Sequence, residues 1–117
     1  MPKLRVINQT RGTVLADRAD IADTSAKRRT GLLKHTGLEP GEGLWIAPCE
    51  GVHTFGMKFP IDVVFLSRKG KVLKIRPRMG RWRVAFCLLA HSVLELPAGR
   101  LGETETSRKD HLILEKY

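Results

Sequence analysis

The side chains best suited to chemistry lie between Cys49 and His91. Asp62 stands between Ile61 and Val63 in a run from Ile61 to Leu66 that is otherwise continuously apolar. A carboxyl group in such a run must find hydrogen-bond partners or change its ionisation. The structural reading has Asp62 accepting hydrogen bonds from backbone or from Thr54, or pairing with an arginine such as Arg83. The functional reading makes it a ligand anchor or an acid-base group. Structural partners perturb carboxyls as readily as active sites do, which favours the first. Met57, flanked at alternate positions by Phe55 and Phe59, is core filler by default. Its alternative role is a soft thioether facing a pocket beside His53.

Two Cys-x3-His pairs, Cys49 with His53 and Cys87 with His91, supply the ligand count of a tetrahedral zinc site. Their spacing departs from the tight Cys-x2-4-Cys and His-x3-5-His arrangement, and the second pair interrupts an apolar strand pattern. Zinc is therefore an alternative, and no cofactor is the primary expectation. A nucleophilic Cys49–His53 dyad lacks an orienting third residue, so buried thiols are preferred. A basic segment carries Arg68, Lys69, Lys71, Lys74, Arg76, Arg78, Arg81 and Arg83, with Trp82 placed to stack on a base. Phosphate neutralisation and aromatic stacking are the two components of single-strand nucleic-acid binding. The plainer account is a solvated hairpin, with Lys74 and Arg76 opposite Leu73 and Ile75, and no recognition motif accompanies the charge.

The whole chain bounds these readings. At 117 residues it supports one domain spanning residues 1–117, with one core. A hydrophobic content of 42% with 28% charged residues is globular, not disordered, composition. No run reaches membrane-spanning length. The opening residues Met1 to Val6 lack the pattern of a secretory signal. With only two cysteines, a disulfide framework is not expected, and a cytoplasmic protein with reduced thiols is. The net charge of +9 and pI near 10.2 favour encounters with polyanions.

The elements that must position these residues are mostly strands. Lys3 to Gln9 alternates, Thr10-Arg11-Gly12 supplies a turn, and Thr13 to Ala22 resumes an extended pattern, predicting a hairpin. Thr24 or Ser25 caps the one predicted helix, over residues 24–36, with Leu32 and Leu33 inward, Lys27, Arg28 and Arg29 outward, and Gly37 as the C-terminal cap. Leu44 to Ala47 is a short buried strand stopped by Pro48. Ile61 to Leu66 and Lys71 to Arg76 form a hairpin through Ser67-Arg68-Lys69-Gly70, and Pro77 to Gly80 is a loop. Trp82 to Leu89, Ser92 to Leu96 and His111 to Glu115 complete about seven strands. The predicted class is α+β, mostly β: a compact sheet or a partly closed small barrel.

Four separated segments resemble the domain of unknown function 192 family, covering most of the chain from Arg29 onward. They are Gly31-Leu32-Leu33, Gly43-Leu44-Trp45-Ile46, the central stretch Phe55-Gly56-Met57-Lys58-Phe59-Pro60-Ile61-Asp62-Val63-Val64-Phe65, and Leu94-Glu95-Leu96-Pro97-Ala98-Gly99. Leu33 stands in place of the family's usual Met, and Gly56 where many relatives have Trp. The resemblance implies a β-rich fold and transfers no reaction, cofactor or substrate, since the family has none established.

Polar groups converging on one apolar stretch are what a small-ligand site requires. The expected function is thus a non-catalytic binding domain for a small or anionic ligand, its groove bordered by His53, Met57, Asp62 and Arg83. Nucleic-acid binding through residues 68–83 and structural zinc binding are the alternatives. An enzyme would need a nucleophile with its base and orienter, or a metal, and the sequence specifies neither.

Overall fold

A computed structural model describes residues 2–117. Strand β1 (Leu4–Asn8) buries Leu4, Val6 and Asn8 and turns Arg5 outward, the two-residue alternation its sequence dictates. It pairs antiparallel with β2 (Thr13–Ala22), as the hairpin pattern predicts. A single helical crossover then leads to β3 (Glu42–Ile46), which lies parallel to β2. The crossover helix α1 (Ser25–Thr30) is shorter than predicted. Thr24 caps it, its hydroxyl accepting from the Lys27 N–H at 3.2 Å. Gly31, not Gly37, ends it: its φ of +49° breaks the helical path while its N–H still donates to the Lys27 carbonyl. Only Leu32 of the expected inward pair is then buried, and Leu33 is exposed.

The main sheet adds β5 (Ile61–Leu66), β6 (Val72–Met79), β8 (Ser92–Pro97) and β9 (Leu112–Lys116), in the order β6-β5-β8-β3-β2-β1-β9. It curls until its outer strands meet: Lys71 bridges His111, and the Val72 N–H donates to the Asp110 carbonyl at 2.8 Å. The partly closed barrel is therefore the observed architecture. Strand β6 runs through Pro77, where a loop was predicted, because an edge strand tolerates a missing N–H. The predicted strand Trp82–Leu89 contracts to β7 (Val84–Phe86), since Trp82 adopts a positive φ of 60° and Leu88–Leu89 form a turn. It pairs with β4 (Gly51–His53) in a separate two-stranded sheet, giving nine strands among the described residues. A second helix, the single turn α2 (Arg100–Glu103), escaped prediction because four residues carry no helical period.

Strand β5 is buried along its whole length and feeds two clusters. Val64 and Leu66 pack with Leu94, Leu96 and Leu101 on one face of the sheet, while Ile61, Val63 and Phe65 pack with Leu32, Ile46, Met57 and Val93 on the other. This division decides which polar side chains can meet.

Candidate functional site: a cavity floored by Glu95

On the second face, a cavity of about 290 Å³ opens between the end of α1, the end of β3, and β4. Leu32, Ile46, Val52 and Met57 supply its apolar wall, Arg28, Arg29 and His53 its polar lining, and Cys49 and Glu95 complete it. Its volume lies just below the range of about 300–1,000 Å³ typical of ligand sites, so it suits a small molecule.

Glu95 is the unusual group. It sits in central strand β8, opposite Leu44 of β3 and Val63 of β5, so its neighbours on both sides are aliphatic. The residue is buried, and its carboxyl makes no hydrogen bond or ion pair among the described residues. Burial pushes its pKa up to about 7, because a low-dielectric surrounding disfavours the charged form. Half-ionised near neutrality, it can donate or accept a proton-sharing contact. Cys49 lies nearby with its thiol donating to the Gly51 carbonyl at 3.1 Å. Burial raises the thiol's pKa and the charge of Glu95 adds to that, so the neutral thiol dominates and the nucleophilic dyad with His53 loses its thiolate.

Of the four residues expected to border one groove, His53 and Met57 meet at this cavity. Asp62 does not join them. Its position in β5 has the parity of Val64 and Leu66, so strand alternation sends it to the opposite face of the sheet, away from Met57. There it accepts backbone hydrogen bonds from Arg78 at 2.7 Å, from Gly99 at 3.1 Å and from Leu101 at 2.8 Å, seating the first turn of α2. Backbone partners are thus what satisfy it. Thr54 instead donates to the Gly80 carbonyl at 2.6 Å. Arg83 is exposed, and its N–H donates to the Thr54 hydroxyl at 2.9 Å.

The zinc alternative is not assembled. No three His, Cys, Asp or Glu side chains gather in a metal-binding cluster among the described residues. His53 lines the Glu95 cavity, whereas His91 lines a different cleft with Trp45 and Ser67, so the two histidines point to separate places although both cysteines pack against the same apolar cluster. The basic segment is spread from the exposed β5–β6 turn, with Arg68 and Lys69, past exposed Lys71 to half-buried Arg76 and exposed Arg78 on β6. Lys74 and Arg81 are engaged with carbonyls of Phe86 and Lys58. Trp82 is exposed, its ring centroid 5.6 Å from that of Phe55.

Sequence reasoning passed over Glu95 and the placement of Arg28 and Arg29. The signal for Glu95 was the same as for Asp62, an acid inside an apolar run, here Ser92 to Leu96.

The model of the domain of unknown function 192 family, an uncharacterized ACR, matches residues 6–114. The chain belongs to that family. No curated protein matches it. Its fold is that of a crystal structure of a candidate transcription regulator from Sinorhizobium meliloti 1021, with a TM-score of 0.85, 20% identity, and coverage of 97% of this chain and 94% of that one. A protein of unknown function from Novosphingobium aromaticivorans DSM 12444 is similar as well, with a TM-score of 0.81, 19% identity, and coverage of 95% and 83%. Among the described residues no helix is long and apolar enough to cross a membrane.

Proposed function

We propose that this member of the domain of unknown function 192 family binds a small polar metabolite in the Glu95 cavity, without transforming it. The observation that carries the reading is the unpartnered carboxyl of Glu95 on the cavity floor. The Glu95 carboxyl opens onto the cavity with no protein partner, so a ligand that brings a hydrogen-bond donor makes an interaction that the fold itself leaves unmade. An amine, amidine or hydroxyl donor suits Glu95, an apolar body suits Leu32, Ile46 and Met57, and an anionic end suits Arg28 and Arg29. What supports binding over nucleophilic chemistry is the neutral, hydrogen-bonded thiol of Cys49.

The test is a panel of alkylammonium ions, guanidine, imidazole and free amino acids, followed by amide chemical-shift mapping and thermal shift. The expected result is perturbation of amides around Glu95, Cys49 and His53 by cationic probes, lost in Glu95→Gln. Amino-acid probes should in addition weaken in Arg28→Ala/Arg29→Ala. Equal binding by wild type and Glu95→Gln, or no cavity perturbation by any probe, would refute the reading.

A further inference from the structure

The two-stranded β4–β7 sheet presents an apolar face that stays largely exposed among the described residues. In β7, Val84 and Phe86 point outward while Ala85 is buried beneath them. Phe86 lies across from Gly51, which has no side chain to shield it, and Val84 lies across from His53. From His53 the surface continues through Phe55 at 5.3 Å to Trp82 at 5.6 Å between ring centroids. At the other end the turn after β7 holds Leu88 and Leu89, 75% and 85% exposed, and Trp82 is 68% exposed. Isolated exposed apolar residues need no explanation, but a contiguous set marks an interaction surface.

The same part of the chain holds nearly all the excess charge. Residues 51–94 contain nine Lys and Arg and one acid, the buried Asp62, while the rest contains twelve Lys and Arg against eleven acids. Several of these cations border the apolar face: Arg81 and Arg83 flank Trp82 in the chain, Arg81 reaches the Lys58 carbonyl, and the Lys74 ammonium lies 6.0 Å from the centre of the Phe86 ring, while exposed Glu50 is an acid beside the sheet. A second copy of this chain would bring two such surfaces together against their mutual repulsion. Single-stranded nucleic acid would use Trp82 and Phe55 for stacking but would gain nothing from Val84, Leu88 and Leu89. A bilayer with anionic headgroups uses every part: the leucines enter the acyl boundary, Trp82 and the phenylalanines lie at headgroup depth, and the cations meet lipid phosphates.

We infer that the β4–β7 face docks this protein peripherally on anionic lipid membranes. The docking is independent of the cavity reading, since Leu88, Leu89 and Trp82 do not line the cavity.

The experiment is sedimentation of the full chain with vesicles of phosphatidylcholine alone and with about 30% phosphatidylglycerol, at about 150 mM salt. Binding to the anionic vesicles is expected, with a blue shift of Trp fluorescence that disappears in Trp82→Phe. Leu88→Ser/Leu89→Ser alters only exposed side chains and should keep the wild-type melting temperature while partitioning about a hundredfold more weakly. Lys58→Glu/Arg83→Glu should abolish the preference for phosphatidylglycerol. The inference fails if the leucine variant binds vesicles as the wild type does, if no blue shift accompanies binding, or if the variant loses affinity for single-stranded oligonucleotides but not for vesicles. Concentration-dependent dimerisation that hides Trp82 and excludes vesicles would also overturn it.

Discussion

Glu95 and Asp62 are two acids in apolar strands that met different fates because their parities differ. Asp62 faces the backbone N–H groups at the start of α2 and is satisfied by them. Glu95 faces the cavity and meets aliphatic neighbours. The consequence for Glu95 is a pH-dependent stability. Its folded pKa of about 7 lies above the ordinary value of 4.5, so the folded state holds the proton more tightly than the unfolded one. That contribution is complete below about pH 4.5 and disappears as pH rises through 7, with a ceiling of about 3 kcal/mol. Denaturant titrations from about pH 5 to 8 should show wild type losing stability relative to Glu95→Gln, which stays neutral throughout. Parallel pH profiles for the two proteins would contradict the burial argument. Asp62→Ala, by contrast, strands three N–H donors, that of Leu101 fully buried, and should cost about 2–4 kcal/mol, measured by urea unfolding.

At the scale of elements, short segments are held by single tertiary contacts. Helix α1 ends at Gly31, whose φ of +49° and ψ of −129° lie outside the left-handed helical well that other residues tolerate. No neighbouring atom other than the Arg28 carbonyl, 3.8 Å away, would meet an added Cβ there. The strain is thus purely conformational, and Gly31→Ala should lower stability by about 1–3 kcal/mol, read as a shift of the chemical unfolding midpoint. The turn that follows places Leu32 in the cavity wall, so the same variant should also disturb cavity amides. The β4–β7 sheet is secured through Thr54, whose hydroxyl donates to Gly80 and accepts from Arg83. Thr54→Val keeps the shape and removes both bonds. Faster amide exchange confined to residues 51–54 and 80–86 is expected, at a global cost of about 1–3 kcal/mol.

For the molecule as a whole, closure is what protects a seven-stranded sheet with two outer edges. The start of β9 is drawn to β1 and β6 by Asp110. Its carboxyl accepts from Asn8 at 2.9 Å, from Arg11 at 3.1 Å and from the Ser107 N–H at 3.0 Å. Burial alone would raise its pKa, but these bonds, led by Asn8 and Arg11, and the Arg11 charge hold it below the ordinary value of 3.8. A depressed folded pKa means stability that is present above the unfolded value and lost as pH falls through the folded one. Asp110→Asn should therefore be less stable than wild type at neutral pH by about 2 kcal/mol, the difference shrinking under acid conditions. Thermal melts at neutral and acid pH separate this from a uniform loss.

How much of this was legible in the sequence depends on the range of the interaction. Alternation over Lys3 to Gln9, Thr13 to Ala22 and Ile61 to Leu66, with turn chemistry between the runs, is local, and it determined the two hairpins and the mostly-β class. The family resemblance was legible for the same reason, as ordered short segments. Local pattern also marked Asp62 as a group needing partners. It did not say which partners, because the N–H groups of Gly99 and Leu101 lie 37 and 39 residues away. The extent of α1 turned on the φ of Gly31, and the splitting of Trp82 to Leu89 on the positive φ of Trp82. Both are backbone states that the surrounding packing selects. Whether Glu95 would be paired or left facing a cavity was decided only when curling of the sheet laid α1 and β4 over one face of β8. Burial and convergence are properties of surfaces brought together by folding, and residue order alone leaves them open.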